Sequence, residues 1–319
     1  LAYFINDRSR VQSYTYGISP FQHHSYEVVY AEKVADILDV SWRQIPLGDC
    51  LIYLDDWINM YGPSVHAHGM HELEFFEKIS EDVPEGNPLL SGIIGDVWAG
   101  LTVPQIETKG ELPKLGYTHG LNADSTYCRL ETDYSIRKQY FESHQSKLQD
   151  SRWRVVESMR RKMRLLKFLF DVPKHYGFEP WSPFLDIEIA IGMLTLPANQ
   201  RKDRDWQREF FKSKQLDVEN MNLSADFRNT LDFQCLKQVR LEPLNEKLLE
   251  NLFESEYVRW INDQIQMTGV KQQIKQLILD LPVISLAGRA LDFNEQMRAY
   301  NAYRIIKPVE EVLRRAKYG

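Results

Sequence analysis

Nothing in the sequence approaches the roughly 20 consecutive apolar residues that a bilayer-spanning helix requires, which argues against a membrane partner. Cysteine is scarce. Cys50, Cys128 and Cys235 are three residues in 319, they lie far apart, and no CxxC joins any two of them. That excludes a disulfide framework as the basis of the fold, and the three read as reduced, structural thiols. Positive charge is also lacking: 39 basic residues against 45 acidic ones leave a net charge of −6. Such a balance argues against nucleic acid as a general partner. There is no internal repeat, no low-complexity tract and no secretory leader, so the expectation is a cytoplasmic protein. The chain opens on Leu1 rather than methionine, and Leu1, Phe4 and Ile5 share one helical face with nothing upstream to start that helix. The expectation that follows is a fragment whose N-terminal part is missing.

What is present is enough apolar residue, 43% of the chain, for one large core or two modest domains. After the opening helix, VQSYTYGI (11–18) alternates as a strand and ends at Gly17. SYEVVYAEKVADILDV (25–40) aligns Val28, Val29, Ala31, Val34, Ala35 and Leu38 on one helical face. WRQIPL (42–47) reads as a short strand, helices follow near 49–61 and 69–80, and LLSGIIGD opens as a buried strand over 89–97. This alternation predicts an α/β protein with a parallel sheet and crossover helices. Ligands of such sheets sit outside the carboxyl ends of the strands, at Gly17 and at Ser91–Asp96. Beyond about 105 the texture turns mainly helical, with patterns over 131–150, 151–171, 184–195, 204–214, 246–267, 270–280 and 293–316. The division expected is 1–104 for an α/β nucleotide-binding part and 105–319 for a helical part.

Four stretches carry candidate chemistry. SGIIGD (91–96) can offer backbone N–H groups to a phosphate or an adenine edge, and Asp96 can hold Mg²⁺; on spacing alone a capped strand-to-helix turn is the better explanation. VHAHGMH (65–71) sets His66, His68 and His71 at a spacing compatible with one metal, as in a metal hydrolase, or makes a polar loop entering the helix at 71, or a loop facing substrate. The basic helix 152–170 carries Arg154, Arg160, Arg161, Lys162, Arg164 and Lys167. A solvated or acid-paired face accounts for it better than a membrane or nucleic-acid surface. WSPFLDIEIAIGMLTLP (181–197) reads as a buried core helix with Pro183 in its first turn and Asp186 near its positive end.

Taken in order, these stretches resemble the synthetase half of the asparagine synthetases and the related beta-lactam synthetases. The resemblance lies in YTYGISPFQHHSYEVVYAEKVADIL (14–38), in SGIIGDVWAG (91–100) against the family's SGEGxDExxGG, in PFLD (183–186) with TLP (195–197), and in Trp206, Arg208, Glu209 and Phe211. It covers about 10–215. It implies an ATP-pyrophosphatase fold and an ATP-dependent, Mg²⁺-requiring ligase that activates a small-molecule carboxylate as an acyl-adenylate for attack by ammonia or an amine. Carried over by position, Ser91 and Gly92 contact the adenosine moiety, Tyr16 lies against adenine and Asp96 binds Mg²⁺. The family's SGGxDS phosphate loop, its amidotransferase domain and that domain's cysteine nucleophile are absent. Ile93 and Val97 replace acidic residues, and an isoleucine cannot act as a general base. The catalytic lysine has no fixed position, with Lys202, Lys212, Lys214 and Lys237 as possibilities. On this reading the chain alone neither hydrolyses ATP nor makes asparagine. A catalytically silent nucleotide-binding or scaffold protein is the alternative.

Overall fold

The computed structural model describes residues 1–65, 67–98, 105–116, 123–130, 133–229, 231, 235, 239–266 and 295–318, with the backbone alone at His68, Asp96, Val97, Arg164, Leu165 and Tyr318. It is α/β with mostly helical content and two small parallel sheets. Contacts divide the chain into two compact units. One comprises Leu1–Tyr53, Gly69–Tyr117 and Tyr134–Cys235; the other comprises Leu54–His68, Thr118–Asp133 and Leu236–Gly319.

In the first unit, β1 (Gln12–Thr15) and β2 (Ser41–Gln44) pair in parallel, Gln12 opposite Ser41 and Thr15 opposite Gln44. The crossover between them is α1 (Tyr26–Leu38), which buries Val28, Ala35 and Leu38. It ends at Asp39, whose left-handed φ of 53° lets its N–H return to the last carbonyls. Further along come α3 (His71–Ser80), β3 (Pro88–Leu90), the single turn α4 (Gly95–Trp98), α5 (Tyr134–Leu148), α6 (Ser151–Leu165) and α7 (Phe168–His175), preceded by α2 (Leu54–Tyr61) of the second unit. β4 (Glu179–Trp181) then pairs in parallel with β3. Among the described residues the helices α8 (Ile187–Thr195), α9 (Ala198–Arg201) and α10 (Asp205–Ser213) follow. Among the described residues the strands form these two pairs rather than one larger sheet.

The opening segment differs from the expected helix. It makes two 3-10 turns, Ala2–Phe4 and Arg8–Arg10, and Phe4 stacks on Phe210 with ring centroids 5.7 Å apart. The expected helix 151–171 breaks after Leu165 into α6 and α7. The predicted helix 270–280 lies outside the described residues.

A second correction concerns α8. It buries none of its residues, and Ile187 and Ile191 are 72% and 55% exposed. Leu194, with Phe184 of the preceding turn, packs on the cluster of Ile94, Val155 and Met159. A helix hydrophobic on every side needs neighbours all round to be a core helix, and among the described residues the cluster from α4 and α6 covers one side.

A third correction concerns the cysteines. Cys50 and Cys235, both fully buried, are joined in a disulfide with Cα atoms 6.0 Å apart, and Cys128 is free. Spacing in sequence could not reveal a pair separated by 185 positions.

The second unit is built on α12 (Ser255–Ile265) against the long α13 (Glu295–Tyr318), with α11 (Glu246–Leu249) beside them. Tyr257, Val258 and Ile261 are buried in α12, and Ala299, Tyr303 and Ile306 in α13. The buried carboxylate of Glu310 takes the N–H of Asn245 at 3.0 Å and faces Lys307 at 3.1 Å. The buried charge is thus compensated on both sides. Among the described residues, no helix of either unit is long and apolar enough to cross a membrane.

Candidate functional site

Tracing SGIIGD from its strand shows how the turn is made. Leu90 ends β3, and Ser91 continues the ladder once more by donating its N–H to the Trp181 carbonyl at 2.9 Å. The chain then folds on itself. Ser91 Oγ accepts from Ile93 N at 3.2 Å, and Gly95 N donates to the Gly92 carbonyl at 3.0 Å. Ile94 sits at φ 64°, a conformation that costs a β-branched residue on the order of 1–3 kcal/mol. Its side chain is 6% exposed and packs with Val155 and Met159; burial of that side chain offsets the strain. Gly92 faces open space, whereas a Cβ on Gly95 would lie 2.5 Å from the Phe184 ring.

The strand ends at 90 instead of running to 97, because the glycine turn begins as soon as the ladder ends. Asp96 falls in α4, on the first turn after the loop; its side chain lies outside what is described. The Ile93 side chain packs partly buried against the same apolar cluster.

PFLD meets this turn. Ser182 is fully buried; its hydroxyl donates to the Ile93 carbonyl at 3.1 Å and accepts from Phe184 N at 3.3 Å. Pro183 opens a 3-10 turn through Leu185, as its fixed φ allows. Asp186 then caps α8, accepting from Glu188 N at 2.8 Å and Ile189 N at 3.2 Å. Two motifs roughly 90 positions apart are therefore joined at the carboxyl ends of two parallel strands.

Tyr16 stands just past β1. Its hydroxyl lies 2.9 Å from His71 Nε2 and 3.1 Å from Glu72 Oε1, and its ring packs edge-on against His71 and Phe75. Burial pushes the Glu72 carboxyl above the usual carboxylate range, against the opposing pull of His71 and of the Tyr16 hydrogen bond. The loops beside this cluster are held by side chains. Buried Ser25 accepts from Ile18 N and Ser19 N, and Gln22 Oε1 accepts from Leu47 N at 2.8 Å. The fully buried Glu74 accepts from Gly48 N and Asp49 N and pairs with Lys78 at 2.7 Å. Spacing alone could not have found the Tyr16 cluster, because its members are 55 and 56 positions apart.

The remaining candidates resolve differently. The histidine stretch forms a 3-10 turn at Ala67–Gly69 leading into α3, the polar-loop geometry. His66 and the His68 side chain lie outside the described residues. Among the described residues no three His, Cys, Asp or Glu side chains gather as a metal site. The basic face of α6 is largely paired. Arg160 makes a two-point bond to Glu157, Arg161 lies 3.8 Å from it, and Lys167 pairs with Asp171. Arg154 is buried and donates to the Leu148 and Gln149 carbonyls, closing the end of α5. Of the lysines, Lys214 lies over the Tyr3 ring, and Lys237 is outside the described residues. A cavity of about 460 Å³ near the end of α1 is lined by Tyr3, Arg8, Leu38 and Asp39 among others, and by none of Tyr16, Ser91 or Gly92.

A scan against protein-family models finds no match for this chain, and no curated protein matches it.

Proposed function

We propose that this chain carries the nucleotide site of an asparagine-synthetase-like, ATP-dependent amide-forming ligase of the Rossmann-like ATP-pyrophosphatase class. Its substrates are a small-molecule carboxylate, activated as an acyl-adenylate, and ammonia or an amine. Ser91 and Gly92 contact the adenosine moiety, Tyr16 lies against adenine, and Asp96 holds Mg²⁺. One carboxylate together with phosphate oxygens suits that hard cation.

The observation that carries the reading is the Ser182–Ile93 hydrogen bond. It sets the two motifs on which the resemblance depends side by side at strand carboxyl ends, where nucleotides bind in α/β proteins. The strained Ile94 adds support, since costly backbone conformations persist where a ligand loop needs its shape.

A second reading has its own observation. Ile93, at the acidic position of the family, packs against the apolar cluster and supplies no proton-transfer group to the turn. That favours a protein that binds the nucleotide without completing the reaction.

Calorimetric titration with ATP separates these readings from chance resemblance. Binding should require Mg²⁺, and Asp96→Asn should remove that requirement together with most of the affinity. Absence of ATP binding at millimolar concentration sinks both readings. Pyrophosphate release with any of a panel of carboxylic acids headed by aspartate rules out the non-catalytic one. The cytoplasmic placement belongs to the ligase reading and requires that Cys50 and Cys235 be thiols in the cell. Alkylation of thiols before lysis tests it.

A further inference from the structure

Tyr16, His71 and Glu72 bring three polar groups from β1's end and α3's first turn within hydrogen-bonding reach, and among the described residues only part of the capacity of His71 and Glu72 is used. A phenol has one proton to give. When Tyr16 donates it to Glu72 Oε1, at 3.1 Å, His71 Nε2 at 2.9 Å must be the protonated ring nitrogen and donates to the phenol oxygen. In the neutral imidazole this leaves Nδ1 as an acceptor. Glu72 Oε2 is a second acceptor, and among the described residues neither atom takes another hydrogen bond. The side chains are 18% and 13% exposed, enclosed yet reachable. Two unspent acceptors beside aromatic rings suit a ligand that donates N–H.

The geometry points to this cluster as a receptor for an amino group, with Glu72 Oε2 and His71 Nδ1 as its acceptors. The assignment rests on the ligase reading for its two sources of such a group. One is the exocyclic amine of adenine, beside which Tyr16 is placed. The other is the amine co-substrate in its ammonium form. Both present the same chemistry to a carboxylate, and both would be weakened by removing its charge.

The test follows the His71 ring by NMR in the full chain at pH 8, with AMP, IMP and methylammonium chloride as probes. IMP carries a keto oxygen where AMP carries the amine. At least one of AMP and methylammonium should shift the His71 resonances, and Glu72→Gln should weaken that binding about tenfold or more. A response to AMP at least tenfold tighter than to IMP assigns the site to adenine. Equal responses to AMP and IMP, with methylammonium also active, assign it to the co-substrate. If none of the three moves the ring at millimolar concentration, or Glu72→Gln leaves the affinities unchanged, the receptor assignment falls. The wild-type titration decides alone should Glu72→Gln fail to fold. ATP binding is measured separately. Its absence with the ring response to methylammonium intact sinks the ligase reading only, and the converse sinks this site only.

Discussion

Ser182 Oγ and the Ile93 carbonyl oxygen, 89 positions apart, are 3.1 Å apart in space. The hydroxyl has two duties, since it also receives the Phe184 N–H at the start of the 183–185 turn. Ser182→Ala removes both bonds in a fully buried position. A loss of about 1–3 kcal/mol is expected, read from the denaturant midpoint at unchanged slope. Mg²⁺-dependent ATP affinity should fall with it, because the same bond aligns the SGIIGD turn. Unchanged stability would show that the two loops are not energetically coupled.

Gly95 tests the packing on the other side of that turn. A Cβ there meets the Phe184 ring at 2.5 Å, too close for a real contact, so the aromatic ring or the helix must move. Gly95→Ala should cost about 1–3 kcal/mol by overpacking. Phe184→Leu opens the space, and the double variant should recover at least half of the Gly95→Ala loss, measured in a double-mutant cycle. Simple additivity would place the strain elsewhere.

How far the sequence alone reached depends on whether the deciding interaction was local. The crossover β1–α1–β2 follows from local periodicity and is where it is expected, whereas Pro183 opens a separate 3-10 turn and Asp186 caps α8, in place of the first helical turn expected for both. α8 departs from the expected core helix because hydrophobicity records what a helix could bury, not how many neighbours arrive to cover it. The disulfide, the Ser182–Ile93 bond and the Tyr16 cluster join positions separated by 55 or more. No pattern of period two or 3.6 encodes such pairs. The pairing of the basic 152–170 stretch is half legible: an acid-paired face is expected, and the partners lie one turn away in the chain, Glu157 for Arg160 and Arg161 and Asp171 for Lys167.

The Cys50–Cys235 bond closes a loop across 185 positions. In the chain-entropy description, a loop of that length constrains the unfolded state by about 5 kcal/mol. Protein purified without reductant and unfolded in guanidinium should therefore titrate one thiol, Cys128, and three after reduction. Cys50→Ser combined with Cys235→Ser should lower the melting temperature substantially, and reductant should then have no further effect. Three thiols in the unreduced protein would remove the bond from the native state and restore the reading of all three cysteines as reduced.

Glu72 sets a pH signature. Its folded-state carboxyl is raised by burial above the ordinary value, so the folded protein favours the protonated form more than the unfolded chain does. The resulting stabilisation is complete below the ordinary glutamate value and is lost as pH rises through the raised one. Glu72→Gln keeps the shape and cannot ionise, so it escapes that loss. Melting temperatures of the two proteins should converge near pH 4. The variant should gain on the wild type as pH climbs towards 7, and the difference should become constant above the folded value. His71 and Tyr16 oppose this trend, both favouring the ionised carboxylate. A wild type that instead gains on Glu72→Gln with rising pH would mean that these two partners outweigh burial, and that the cluster is held together by an ion pair.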